Sequence, residues 1–273
     1  MTITAPTTAP VVPKRAQSTN RLTFIRVLRS EWIKLSTLRS TWWSIGATAV
    51  IAIGVALLVA QSMDVPGFEP IQAVVAPVQF TMLLAGILGA IAVTGEYSTG
   101  MIRSTLAADP VRGSVLAAKA VVVAVFLFLA SLVILIGAAL AVTPIFAARD
   151  MPFPWDTAAD SFLPILAAAF SMAVFALIGL SFGFILRSGA GAIAATVGLL
   201  FVLPIVMTIF ATPDPAWQWI NEVSYRLPMT AAQSAILPQP GWGLEASGAY
   251  LTLVAWVAAG LLAAWTVLRT RDA

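Results

Sequence analysis

Apolar residues in this chain do not alternate with polar ones. They gather in six blocks, each close to 20 residues or longer, and the polar residues collect in short clusters between the blocks. A helix needs roughly 20 apolar residues to cross a hydrocarbon core of about 30 Å. The blocks at about 42–60, 71–94, 115–142, 162–186, 190–211 and 250–268 meet that length, and none carries Asp, Glu, Lys or Arg in its central portion. The pattern predicts an all-α membrane protein with six transmembrane helices. Only Arg187, Ser188 and Gly189 separate the fourth block from the fifth, which predicts a tight helical hairpin.

Three segments outside the blocks carry pattern of their own. Leu22, Ile25, Leu28, Trp32 and Leu35 recur at three- and four-residue spacing ahead of the first block, with Arg21, Arg26, Arg29 and Lys34 mostly on other faces. This suits an N-terminal amphipathic helix in the membrane interface, its basic groups reaching anionic headgroups; the alternative is a basic flank that only fixes topology. In the loop 95–119, Met101, Ile102, Thr105 and Leu106 can share one face of a short helix ended at Asp109-Pro110, since proline disfavours helix in the residue before it. Such a helix either docks on a cytoplasmic partner or caps the surface of its own subunit. The loop 212–248 holds Trp217, Trp219, Tyr225 and Trp242 with five prolines. Its aromatics predict short helices at the opposite interface, anchoring to headgroups or shaping an exit path. Residues 1–19, rich in Thr, Pro and Ala, are expected to be a mobile tail, with 20–273 forming one transmembrane domain.

Composition and charge agree with this class. Hydrophobic residues make up 60% and charged residues 10% of the 273, with a mean hydropathy of +0.94. A soluble domain is about a quarter charged, so this chain cannot cover itself with a water-compatible surface. Thirteen of the 15 Lys and Arg residues fall in the N-terminal segment, the loop 95–119, the turn at Arg187 and the C-terminal end, all on one side of the six blocks. The positive-inside rule makes that side the cytoplasm, with both termini there, and a plasma (inner) membrane location is expected. The pI near 9.7 then reflects topology and not nucleic-acid binding. A cleaved signal peptide is not expected, because the first apolar run begins only after residue 40.

Catalytic and metal-binding patterns are sparse. With no Cys and no His, thiol chemistry and the common zinc, haem and iron–sulfur ligand sets are excluded. The spans offer no paired carboxylates, and Ser171 and Ser181 have no base beside them in sequence, so the chain does not read as an enzyme. Spans without ionisable centres also speak against an ion-coupled secondary transporter. Gln72, Gln79, Thr81 and Thr196 add polarity of the kind that bridges helices, and Gly179 with Gly183 forms a Gly-x-x-x-Gly pair in the fourth block. No lysine follows the Gly-x-x-x-x-Gly pattern of a Walker A loop, so energy for uphill movement must come from another chain.

Two short motifs point to a family. Ser30-Glu31-Trp32-Ile33-Lys34-Leu35, followed by Thr37, Arg39 and Trp42, precedes the first span, and Gly95-Glu96-Tyr97-Ser98-Thr99-Gly100 leaves the second. With six spans, these make the chain, from about residue 22 onward, resemble the permease subunits of ABC-2 type exporters, closest in character to the bacitracin and multidrug exporter permeases. The resemblance implies a dimer with a second copy or a paralogue, and a separate ABC-type ATP-binding subunit that carries the ATP and magnesium; this chain would hold no cofactor. It also implies a coupling helix between spans two and three. Glu96, Gly100, Met101, Ile102, Arg103, Thr105 and Leu106 would then face the ATPase, with Glu96 pairing either with Arg103 or with a basic group of the partner. The expected cargo is an amphiphilic drug, antibiotic, peptide or lipid. Large extracellular domains found in some members are missing. The competing readings are a non-transporting anchor or sensor module and an ion-coupled secondary transporter.

Overall fold

The computed structural model describes residues 23–63, 65, 67–108, 112–210, 217–239 and 241–270. The expected N-terminal tail, Leu22 of the amphipathic stripe and the Asp109-Pro110 stop lie outside them. Among the described residues the fold is helical without strands. Its elements are α1 (Phe24–Thr37), α2 (Arg39–Ser62), α3 (Pro70–Val75), α4 (Val78–Ser98), α5 (Met101–Ala108), α6 (Arg112–Ala147), α7 (Phe162–Leu186), α8 (Gly189–Val197), α9 (Leu203–Phe210), α10 (Gln218–Tyr225), α11 (Pro228–Ile236) and α12 (Ala246–Thr270). A π-helical turn, Gly198–Val202, joins α8 to α9.

Six helical rods are long and apolar enough to cross a membrane: α2, α3 with α4, α6, α7, α8 through α9, and α12. They match the six blocks but run further toward the α1 end, because Arg39, Ser98 and Arg112 continue helices whose apolar cores stop earlier. The second rod breaks at Ala76-Pro77, since Pro77 supplies no N–H to the helix. The turn between α7 and α8 is as tight as expected. Arg187 takes the left-handed conformation at φ 54°, its N–H bonding Gly183 O, and the Ser188 hydroxyl accepts from the Gly191 N–H to cap α8.

α7 is the hub. Of its most apolar stretch 78% is buried, against 17% in α2 and α12 and 11% in the α8–α9 rod, so the last three present wide apolar faces outward. α7 meets α4 at a glycine crossing. A Cβ built on Gly179 would fall 1.9 Å from Gly86 O, and one on Gly89 would fall 1.9 Å from Ala176 O. The Gly179–Gly183 pair is therefore a packing device: Gly179 faces Gly86, and Gly183 faces Ala90 and Val93 of the same helix. Ser171, Thr81 and Thr196 bond carbonyls three or four residues back in their own helices, so these hydroxyls do not bridge helices.

At the end opposite α1, the segment following α10 departs from the surface helix expected there. Every residue of α11 except Gln233 is buried, and the helix packs between α7 and α12. Its run of small and apolar side chains, Met229, Ala231, Ala232, Ala235 and Ile236, is too short to span a membrane but apolar enough to fill a gap between rods. Trp217, Trp219 and Trp242 do stay exposed. At the same end Arg149 closes the C-terminus of α2, donating to the carbonyls of Ala60 at 2.8 Å, Gln61 at 3.0 Å and Met63 at 3.0 Å. These are carbonyls that a helix end leaves without partners.

Candidate functional site

Three buried charges and one half-buried one meet where α1, α4 and α6 converge. Glu31 and Lys34 sit one turn apart on α1, Glu96 lies in the last turn of α4, and Lys119 stands in the third turn of α6. Lys119 Nζ donates to Glu31 Oε2 at 2.5 Å and to Glu96 Oε1 at 2.8 Å. Lys34 Nζ donates to Glu31 Oε1 at 2.7 Å, to Glu96 Oε1 at 3.1 Å and to Thr105 Oγ1 of α5 at 3.4 Å. The side chains of Glu31, Glu96 and Lys119 are 3%, 6% and 5% exposed; Lys34 at 29% is the one that faces outward.

Isolated charges so deeply buried would cost several kcal/mol each. Here two carboxylates and two ammonium groups neutralise one another in a closed ring, and every bond of it except Lys34–Glu31, which lies within α1, joins two different helices. The ring is a clasp: it ties α1 to the last turn of α4 and the third turn of α6 and, through Thr105, to α5. Glu96 Oε2 is the one carboxylate oxygen of the ring without a hydrogen-bond partner.

The titration of the two α1 groups follows from this geometry. Burial alone pushes the Glu31 carboxyl up, but Lys119 and Lys34 outweigh it and hold the group below its ordinary 4.5. Burial alone pushes Lys34 down, but Glu31 and Glu96 outweigh it and hold the ammonium above its ordinary 10.5. A depressed carboxylate contributes stability that is complete above 4.5 and is lost as pH falls through its lowered value. A raised lysine contributes stability that is complete below 10.5 and is lost as pH rises through its raised value. The Glu31–Lys34 pair should therefore hold across the whole range between. Thermal unfolding of the purified chain in lipid nanodiscs against pH is expected to show a plateau there; a decline already under way at pH about 6 to 7 would contradict this assignment.

A cavity of about 350 Å³ adjoins the clasp, with Glu31, Lys34, Glu96 and Lys119 at one wall and Leu88, Ile91, Phe126 and Leu127 at the others. Trp32 and Trp42 both pack edge-on against Phe126, at centroid separations of 5.6 and 6.1 Å.

The residues singled out from the sequence distribute as follows. On α1, the face turned to α6 is Val27 and Glu31, with Leu28 and Leu35 half-buried, while Ile25 is 76% and Trp32 39% exposed. The apolar stripe is thus split between packing and an outward face. On α5, Ile102 is buried at 2% and Thr105 reaches Lys34, whereas Met101, Arg103 and Ser104 are exposed. Gly100 precedes α5 at φ 70°, a conformation that favours glycine. Within this chain Glu96 pairs not with Arg103 but with Lys34 and Lys119, which both donate to its Oε1. Lys119 carried a signal that the reading by loop charge passed over. It stands inside the apolar run Val115–Val123, where a lysine needs a partner.

No protein-family model matches the chain, and no curated protein matches it.

Proposed function

We propose that this chain is the membrane-spanning permease subunit of an ATP-driven exporter of the ABC-2 type, with the α1 end in the cytoplasm. One observation supports the reading above the others. The residues that carry the resemblance, Glu31 and Lys34 in one motif and Glu96 in the other, lie 62 to 65 positions apart in sequence and meet in one clasp. A clasp that ties α1, α4, α5 and α6 together at one end would make them move as a unit when a partner pushes on α5, which is the rigid-element motion such a permease requires. ATP and magnesium belong to the separate ABC-type ATPase in this reading. A second permease copy or paralogue would cover an outward apolar face, and the cargo is amphiphilic.

In this arrangement α5 has an inner side, Ile102 and Thr105, held by its own subunit, and an outer side, Met101, Arg103 and Ser104, available to the ATPase. The test is co-purification with the product of a neighbouring ABC-type ATPase gene, followed by ATPase assays with and without this chain. A stable complex is expected whose ATPase stimulation drops at least about tenfold in Met101→Glu with Arg103→Glu, while membrane insertion is unchanged. A tenfold drop corresponds to about 1.4 kcal/mol, less than the roughly 2 kcal/mol or more that truncating an interface hot spot costs. Stimulation surviving the double change would place the coupling elsewhere. Failure to associate with any ATPase would favour an anchor or sensor module.

A further inference from the structure

The chain contains seven glutamines, and four of them line one cavity at the end opposite α1. Gln72 comes from α3, Gln79 from the first turn of α4, Gln233 from α11 and Gln239 from the loop behind it, around a space of about 300 Å³. Among the described residues no Asp, Glu, Lys or Arg lines it; Met82, Met229 and Trp242 supply the apolar walls. Gln72, Gln79 and Gln233 are half-buried and Gln239 is exposed, so their amides are within reach of a ligand.

The loop segment that brings Gln239 and Trp242 is held in place. Ser234 Oγ of α11 donates to Thr230 O at 3.0 Å and accepts from the Leu244 N–H at 3.2 Å. Gly243, at φ 76°, lies so close to Ser234 that an added Cβ would fall 2.3 Å from its hydroxyl oxygen. Trp242 is braced edge-on by Tyr225 at 6.0 Å, yet remains 39% exposed. The polar groups and the ring are therefore presented by packed helices and a pinned turn.

We propose that this cavity binds a neutral sugar ring. Each glutamine amide offers a donor and an acceptor together, which matches neighbouring hydroxyls, and an accessible indole gives the apolar face of the ring a flat surface. A mostly apolar pocket with a few convergent polar groups is the usual form of a small-ligand site. An uncharged lining gives no counter-charge to a phosphate or an ammonium, whose desolvation would go uncompensated. The ring can come from a soluble glycoside or from a glycolipid headgroup.

The inference goes beyond the exporter reading, because binding is measured on this chain without an ATPase, and either reading can fail alone. The full chain is placed in phosphatidylcholine nanodiscs, avoiding sugar-headed detergents, and probed by saturation-transfer NMR with methyl β-glucoside, glucose 6-phosphate and glucosamine. A saturable signal is expected for the neutral glycoside, with both charged rings bound at least about tenfold more weakly. Displacement by glucosyl diacylglycerol added to the disc assigns the lipid headgroup as the source; persistence of the free glycoside signal assigns the soluble sugar. Gln79→Leu with Gln233→Leu is expected to weaken binding roughly tenfold or more with an unchanged melting temperature. Trp242→Phe should retain more affinity than Trp242→Ala. Equal signals from all three rings would overturn the proposal. So would indifference to the glutamine changes, or absence of binding by both the free glycoside and the glucosyl lipid.

Discussion

Lys119→Met is expected to destabilise the chain by about 3–5 kcal/mol, the usual consequence of removing one partner from a buried ion pair. Glu31 and Glu96 would then share Lys34 alone, leaving one uncompensated negative charge among side chains that are 3–6% exposed. Adding Glu96→Gln to Lys119→Met should restore most of the loss, since Glu31 and Lys34 remain as a neutral pair 2.7 Å apart. The measurement is a double-mutant cycle by equilibrium unfolding in mixed micelles. A coupling of about 2 kcal/mol or more marks the ring as one electrostatic unit. Additive losses would mean that the two residues act separately, and would remove the observation on which the permease reading leans.

The second large effect concerns the crossing of α4 and α7. Gly179→Ala and Gly89→Ala each set a methyl group 1.9 Å from a backbone carbonyl oxygen, and backbone cannot rotate away as a side-chain tip can. Each change should cost at least the 1–3 kcal/mol typical of overpacking, and Gly179→Val should prevent accumulation of folded protein. Gly46 and Gly54, in α2, have nothing within 4 Å of an added Cβ. Alanine there should stabilise by up to about 1 kcal/mol, the ordinary difference in helix propensity. Thermal melts of the four variants side by side check this. Equal losses at Gly54 and Gly179 would show that helix propensity and not proximity governs both.

How much of this was open to reading depends on what each feature is made of. The six rods were legible because crossing hydrocarbon imposes a length and an absence of charge on consecutive residues, and both are local properties. The break at Pro77 was equally local, but it is masked by the apolar residues on either side of it. The burial of α11 is hidden in the sequence because the tryptophans around it dominate the composition of its loop, while its own small and apolar residues are interrupted by Thr230, Gln233 and Ser234. The clasp was not legible as a whole. Its bonds join residues 23, 62 and 88 positions apart, and helices apolar on all sides give no preferred face from which to align them. Glu96 stood out within its motif, and the apolar run around Lys119 shows that this lysine needs a partner, but nothing local says that the partner is Glu96. The same holds for the glycine crossing. The pair Gly179–Gly183 was visible, yet what gives it meaning is Gly86, Ala90 and Val93 on another rod.

The π-helical turn at Gly198–Val202 carries a consequence for the fifth rod. The N–H of Leu203 reaches Gly198 O, five residues back. Pro204, which supplies no N–H and crowds the carbonyl four residues before it, favours such a widened turn. One extra residue in a helix of 3.6 residues per turn shifts the phase of everything after it by about 100°. The stripe that faces α4 along α8, marked by Thr196, therefore does not continue straight into α9, and Ile205 and Ile209 point a quarter turn away from where an unbroken helix would aim them. The two halves of one rod thus address different neighbours, as if two short helices had been set end to end at different azimuths.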